Sequence, residues 1–292
     1  MMRKERLDGV GLAALIAVTF LLAVNQIVVK EVNHGLQPVF FAGLRSALAV
    51  VFVFGWLKFR GLWGRVRWAD LGPGLAIGCV FAAEFLCLFM ALDLTAVGRA
   101  SVIFYSMPLW LSVAAHFGLP NERITPKRGI GLGLAFIGTA WAILSKSPSG
   151  HASMLGDMLA LVGAWGWAGT AFLARKTRLR EAGPEAQLFW MVLISGPILL
   201  AVSPLFGPLI RDIQPMHWVW LLLQAGVVVA GVFITWLWLL SIYPTSTVAS
   251  FSFLTPLFAI ILGYVIFDEA LSFGLMMAAG FVAAGIVLIN RR

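Results

Sequence analysis

Two ionisable residues stand inside apolar runs of this 292-residue chain: Glu84 in FAAEFLCLF and Arg45 in FFAGLRSALAV. In a bilayer, a charge at mid-depth costs ~2.5–3.5 kcal/mol and faces protein or a water-filled cavity rather than lipid. Glu84 could carry a proton or meet a cationic group, and Arg45 could meet an anionic one. Arg45 follows Pro38 by seven residues, and Glu84 precedes Asp93 by nine. At ~1.5 Å per helical residue, these spacings put them ~10 Å and ~14 Å below the same surface. The side chains are then within reach of each other. Two readings stay open: a salt bridge that only fastens two helices, or charges that face a cavity.

Pro108 and Pro256 are the next pointers. Each sits about ten residues from either end of an apolar run. A mid-helix proline frees the carbonyl four residues back, here Phe104 and Ser252. Freed backbone at membrane depth needs hydroxyls, neighbours or water. Ser101, Tyr105 and Ser106 surround the first break, and Ser250, Ser252 and Thr255 the second. Ser101, Tyr105 and Pro108 share one helical face by their spacing. Two broken helices at matching positions mark a site, a hinge or simple kinks. Asn25, beside Gln26, is late in the first run, with Thr170 as its counterpart later in the chain. Trp167 and Trp236 lie deep in their runs and are candidates for lining a pocket. Trp56, Trp63, Trp68, Trp218 and Trp220 fit interfacial anchors.

The elements that would position these residues follow from composition. The chain is 61% hydrophobic and 12% charged, against about 25% charged in a soluble domain. Lipid must solvate much of it. Segments of spanning length cover roughly 10–30, 36–57, 71–92, 98–118, 128–145, 155–175, 186–206, 217–240, 246–267 and 272–290. The expected fold is an all-α polytopic membrane protein of ten transmembrane helices, with short connections. With the N-terminus cytoplasmic, only Lys30, Arg99, Lys146 and Arg211 of the 21 Lys and Arg fall outside, and Arg45 falls within a span. That asymmetry obeys the positive-inside rule and puts both termini in the cytoplasm. The first apolar run, preceded by Arg3, Lys4 and Arg6, reads as a retained helix rather than a cleaved leader.

The chain also repeats. YSMPLWLSVAAHFGLPNERIT resembles FLTPLFAIILGYVIFDEALS, with a shift of 148 at Pro108/Pro256 and 147 at Glu122/Glu269. The shift is 146 at Pro38/Pro184 and 145 at Lys30/Arg175. The halves are 1–147 and 148–292. Five helices is an odd number, so the halves insert in opposite orientations. Inverted repeats are a recurrent plan of secondary transporters, with the substrate near the midplane. The counterparts of Arg45 and Glu84 are Met191 and Val232, so both charges are missing from the second half.

The whole chain resembles the EamA-type members of the drug/metabolite transporter superfamily. The resemblance rests on NQIVVK, LRSAL, GDMLALVGAWGWA, Thr255-Pro256, and the loop glutamates Glu122 and Glu269. AEFLCLFMALDLTAVGRAS is similar to the YddG-type aromatic amino-acid exporters, which have a glutamate at the position of Glu84 and aromatics at those of Tyr105 and Trp167. Met107 stands where those exporters have tryptophan. Ala23-Val24 stand where many members have Trp-Gly. The resemblance implies a bacterial inner-membrane transporter that exports amino acids, aromatic or other neutral, or related small metabolites by alternating access. Drug or other metabolite efflux is the alternative within transport. An intramembrane enzyme or a scaffold is the alternative of another class.

Enzymatic motifs are missing. The chain has no His-Glu-x-x-His and no Gly-x-Ser-x-Gly, and Asp157 has no second intramembrane aspartate for a dyad. Cys and His do not cluster at metal spacing, so neither metal nor cofactor is expected. The net charge of +8 is spread in loop clusters rather than along a stripe, which argues against nucleic acid. The expected partners are a small-molecule substrate and the lipid bilayer. Protons stay open as coupling ions through Glu84, and the sequence assigns no oligomeric state.

Overall fold

The computed structural model describes residues 8–119, 123–145, 153–243 and 251–290. Lys146, Ser250, Glu122 and the arginines at both chain ends lie outside them. Among the described residues there is no strand, only one bridge between Leu36 and Ile210. The helices are α1 (Gly9–Gly35), α2 (Pro38–Phe59), α3 (Leu71–Leu94), α4 (Val97–Phe104) and α5 (Met107–Gly118). They continue with α6 (Pro126–Leu144), α7 (Met154–Lys176), the single turn α8 (Leu179–Ala182) and α9 (Pro184–Val202). Next come α10 (Pro215–Leu223), a π-helical segment Gln224–Val232, α11 (Phe233–Ile242), α12 (Leu254–Phe267) and α13 (Phe273–Asn290).

Local chemistry sets these limits. The Asp8 carboxylate accepts from Gly11 N at 2.8 Å to open α1. Gln37 Oε1 accepts from Phe40 N at 2.6 Å, and Pro38 follows it as the first residue of α2. Thr125 and Ser153 open α6 and α7 in the same way. Such caps satisfy amides that have no partner within the helix.

Seven helical stretches are long and apolar enough to cross a membrane: α1, α2, α3 with its preceding turn, α4–α5, α7, α9 with its following turn, and α10 running through the π segment. The chain is a multi-pass membrane protein. Three more apolar helices fall short of that measure. α6 carries Lys127 and Arg128 in its first turn, α12 starts only after a break at Ser252–Phe253, and α13 is apolar but short over Phe273–Ile289. The segment expected as one span over 98–118 is two helices, because Pro108 interrupts it at Tyr105–Ser106.

The most extensive helix contacts join the two halves of the sequence: α6 with α13, α3 with α7, α2 with α9, and α3 with α9. Small residues permit the closest of these. A Cβ on Gly138 would lie 2.7 Å from the Ala278 carbonyl, and one on Gly285 2.6 Å from Ala135 N. Gly133, four residues after Gly129, meets nothing within 4 Å. The packing face of α6 is that of Gly131 and Gly138.

Candidate functional site

Glu84 sits where α3 crosses α7. A Cβ on Gly166 would come within 2.8 Å of Glu84 Cβ and 2.9 Å of its Cα. Glycine there lets the two backbones approach. The Glu84 side chain is buried, and its Oε2 accepts from Thr170 Oγ1 at 3.3 Å. The same hydroxyl donates to Trp167 O at 2.8 Å. Thr170 is thus divided between two acceptors, and Glu84 keeps unused acceptor capacity.

Arg45 is 1% exposed. Its Cζ lies 4.1 Å from the ring centre of Phe85 and 4.8 Å from that of Phe89, a cation–π arrangement. Its Nε has no hydrogen-bond partner. Arg45 thus lies beside the residue that follows Glu84, yet the two charges form no ion pair at 4.0 Å or closer among the described residues. The salt bridge weighed from their matched depths is not made. Each charge is held by something else, one by aromatic faces and one by a hydroxyl.

The helices broken at Pro108 and Pro256 pack on each other, α4 against α12. Tyr105 and Thr255 are both buried, and Thr255 Oγ1 has no partner within hydrogen-bond distance. Tyr105 stacks edge-on against Phe104, 5.7 Å between ring centres. A Cβ on Gly163 would touch both Phe104 and the Glu84 carbonyl, so the break abuts the α3–α7 crossing. The Ser252 carbonyl, freed by Pro256, accepts from Thr255 N at 3.2 Å. Ser106 Oγ donates to Ile103 O at 2.6 Å and accepts from Trp110 Nε1 at 3.0 Å. Ser101 Oγ and Asn25 Oδ1 are buried without a protein partner. The Asn25 carbonyl accepts from Gln224 Nε2 of the π segment at 3.2 Å.

Not every candidate gathers here. Trp167 packs against the main core. Trp236 packs instead with Leu15, Val18, Val232, Leu239 and Tyr243, in a separate cluster. A cleft of about 440 Å³ opens between α2, at Phe52, Trp56 and Phe59, and the π segment with α11, at Gly226, Ile234 and Thr235. Arg45, Phe52, Trp56 and Phe59 share one face of α2 by their spacing of seven, four and three residues. Arg45 is therefore about two turns beyond the cleft along that face.

One end of the bundle is sealed between the halves. Glu269 pairs with Lys30 at 2.9 Å and accepts from the amides of Val97 (2.7 Å) and Gly98 (3.2 Å), which open α4. Arg99 pairs with buried Asp157 at 2.6 Å and donates to the carbonyls of Ser145 and Ile143. Arg211 pairs with Asp93 at 2.8 Å and donates to Asn33 O. Backbone bonds Gln37 N to Leu209 O (3.0 Å) and Arg211 N to Gly35 O (2.9 Å) complete the seal. Asp157, read from sequence as a lone acid, is one member of this set. From sequence, the basic members Lys30, Arg99 and Arg211 mark topology alone. Their signal was that bases and acids assigned to the same surface must neutralise one another.

A polytopic bundle with proline-broken helices around buried, mid-depth charges is the architecture of a membrane transporter. The chain belongs to the EamA-like transporter family, whose model matches residues 9–144 and again 154–291. Its relatives include "Uncharacterized transporter YoaV" of Bacillus subtilis, 23% identical, with 94% of each chain covered. They also include a "Probable amino-acid metabolite efflux pump" of Escherichia coli, 27% identical, covering 97% of this chain and 95% of that one. A solved crystal structure shares the fold with a TM-score of 0.66 at 20% identity, covering 94% of this chain and 95% of the other.

Proposed function

We propose that this protein is a bacterial inner-membrane secondary transporter that exports amino acids, aromatic or other neutral, or related small metabolites by alternating access. In this reading ten helices cross the membrane as two inverted five-helix repeats, 1–147 and 148–292, with both termini cytoplasmic. The symmetric contacts support it: α2 with α9 and α6 with α13 pair each repeat's element with its own counterpart. The named E. coli relative supports amino-acid metabolites as cargo.

The observation that carries alternating access is the seal. The end that holds Lys30, Asp93, Arg99, Asp157, Arg211 and Glu269 is the periplasmic end by the distribution of basic residues. Its ion pairs and loop bonds close it. The cleft beside α2, on the other side, ends about two turns short of Arg45, and in this reading it deepens to that residue when the protein opens inward. Opening the seal while closing the cleft would expose the same chamber outward. In this reading the candidates Asn25, Arg45, Glu84, Ser101, Tyr105, Trp167, Thr170 and Ser252 would line or border the chamber that opens during transport. Pro108 and Pro256 are its hinges, and Trp236 flanks the cytoplasmic side.

The experiment is flux of a labelled amino-acid and metabolite panel through purified protein in liposomes. Saturable flux supports the reading. Lipid or peptide hydrolysis without flux of any solute would sink it.

A further inference from the structure

We propose that Arg45 and Glu84 together form the recognition site for a zwitterion. Arg45 binds the carboxylate of an α-amino acid and Glu84 binds its ammonium group. The inference rests on the transporter reading above and deepens it from the charges alone.

Three observations carry it. Arg45 is almost fully buried, yet its Nε finds no acceptor. Its planar fork suits a carboxylate in two-pronged geometry. The rings of Phe85 and Phe89 hold the guanidinium in place without consuming that donor. Glu84, next to Phe85 on α3, uses one oxygen on a hydroxyl shared with Trp167 O. Its remaining acceptor sites are open to a cation.

The third observation is the gap. Opposite charges buried near each other ordinarily close to contact, because each is costly alone in a low dielectric. Here Arg45 lies over the ring of Phe85, the residue after Glu84, yet it makes no ion pair with Glu84 among the described residues. A ligand carrying both charges on one carbon completes both partners at once. A simple anion would sit beside Glu84 unneutralised, and a simple amine would face Arg45. The site therefore discriminates against both. The second repeat has Met191 and Val232 at these positions, so the chamber offers one polar headgroup site. The side chain of the ligand then extends toward the Tyr105–Thr255 side.

The test is competition in liposomes. Uptake of labelled leucine and of labelled threonine is competed by the unlabelled amino acid, by its amide (no carboxylate) and by its N-acetyl form (no ammonium). Each modified form is expected to compete at least ~tenfold more weakly, the effect of losing one hydrogen bond to a charged group. Arg45→Gln removes the discrimination against the amide and keeps that against the N-acetyl form; Glu84→Gln does the reverse. Equal competition by all three ligands overturns the proposal, as does a variant that retains both discriminations. Where a variant gives no flux, the wild-type protein decides through ligand-induced shifts in melting temperature. A shift with the amino acid but with neither modified form is expected, and equal shifts overturn the assignment. Flux of other metabolites but of no amino acid overturns the zwitterion and leaves the transporter standing. No flux of any solute overturns both.

Discussion

Glu269 and Lys30, 239 residues apart in sequence, meet at 2.9 Å, and the same carboxylate receives the first two amides of α4. One side chain thus joins the start of the α12–α13 connection, the end of α1 and the N-terminus of a helix from the other repeat. An anion at a helix N-terminus also complements the helix dipole.

Removing that charge should open the seal. Glu269→Gln forfeits about 2 kcal/mol of charge-assisted bonding, about thirtyfold in the ratio of sealed to open forms. A cysteine at buried Ala96, beside this carboxylate, should then react faster with a membrane-impermeant maleimide added outside. An unchanged labelling rate would show that Glu269 does not hold the seal.

The ion pairs should differ in weight. Arg99 and Asp157 are 7% and 1% exposed, whereas Arg211 and Asp93 are 35% and 17% exposed. Asp157→Ala strands a buried guanidinium and should cost ~3–5 kcal/mol. Arg211→Ala should cost about 0–1 kcal/mol, as for a solvent-screened pair. Thermal unfolding in detergent measures both, and equal losses would contradict the ranking by burial.

Two glycines give a matched control. Gly166→Ala drives a methyl into the Glu84 backbone and should cost about 1–3 kcal/mol through overpacking. Gly133→Ala meets nothing within 4 Å and should be neutral or stabilising by up to about 1 kcal/mol. The melting temperatures of the two variants should move apart.

Pro108→Ala restores an amide that can donate to the Phe104 carbonyl and carry the helix through Tyr105–Ser106. Flux should fall at least ~tenfold, since small misplacements at a site are costly, while the melting temperature holds or rises. Full flux from a straightened helix would remove the hinge role.

Periodicity and charge made much of this legible from sequence. Long apolar runs announce spans, and the prolines at matched positions announced breaks that α4–α5 and α12 display. Depth counting brought Arg45 and Glu84 to one level, because rise per residue is fixed. It could not tell that they stop short of contact, since that depends on how Phe85 and Phe89 orient the guanidinium. The seal was also hidden. Its acids and bases come from connections far apart in the chain, and only the mutual docking of the repeats brings them together. The π segment left no trace, because an apolar run reads alike at either helical pitch.

The crossing of α3 and α7 has a consequence for biosynthesis. Thr170, the hydroxyl that meets Glu84, follows it by 86 residues. At a synthesis rate of about 5–20 residues per second, Glu84 waits roughly 4–17 s for that partner. During this interval α3 resides in the translocon or the lipid with a carboxylate and no α7 to cover it. The first repeat is therefore inserted before its buried carboxylate can acquire this hydroxyl partner.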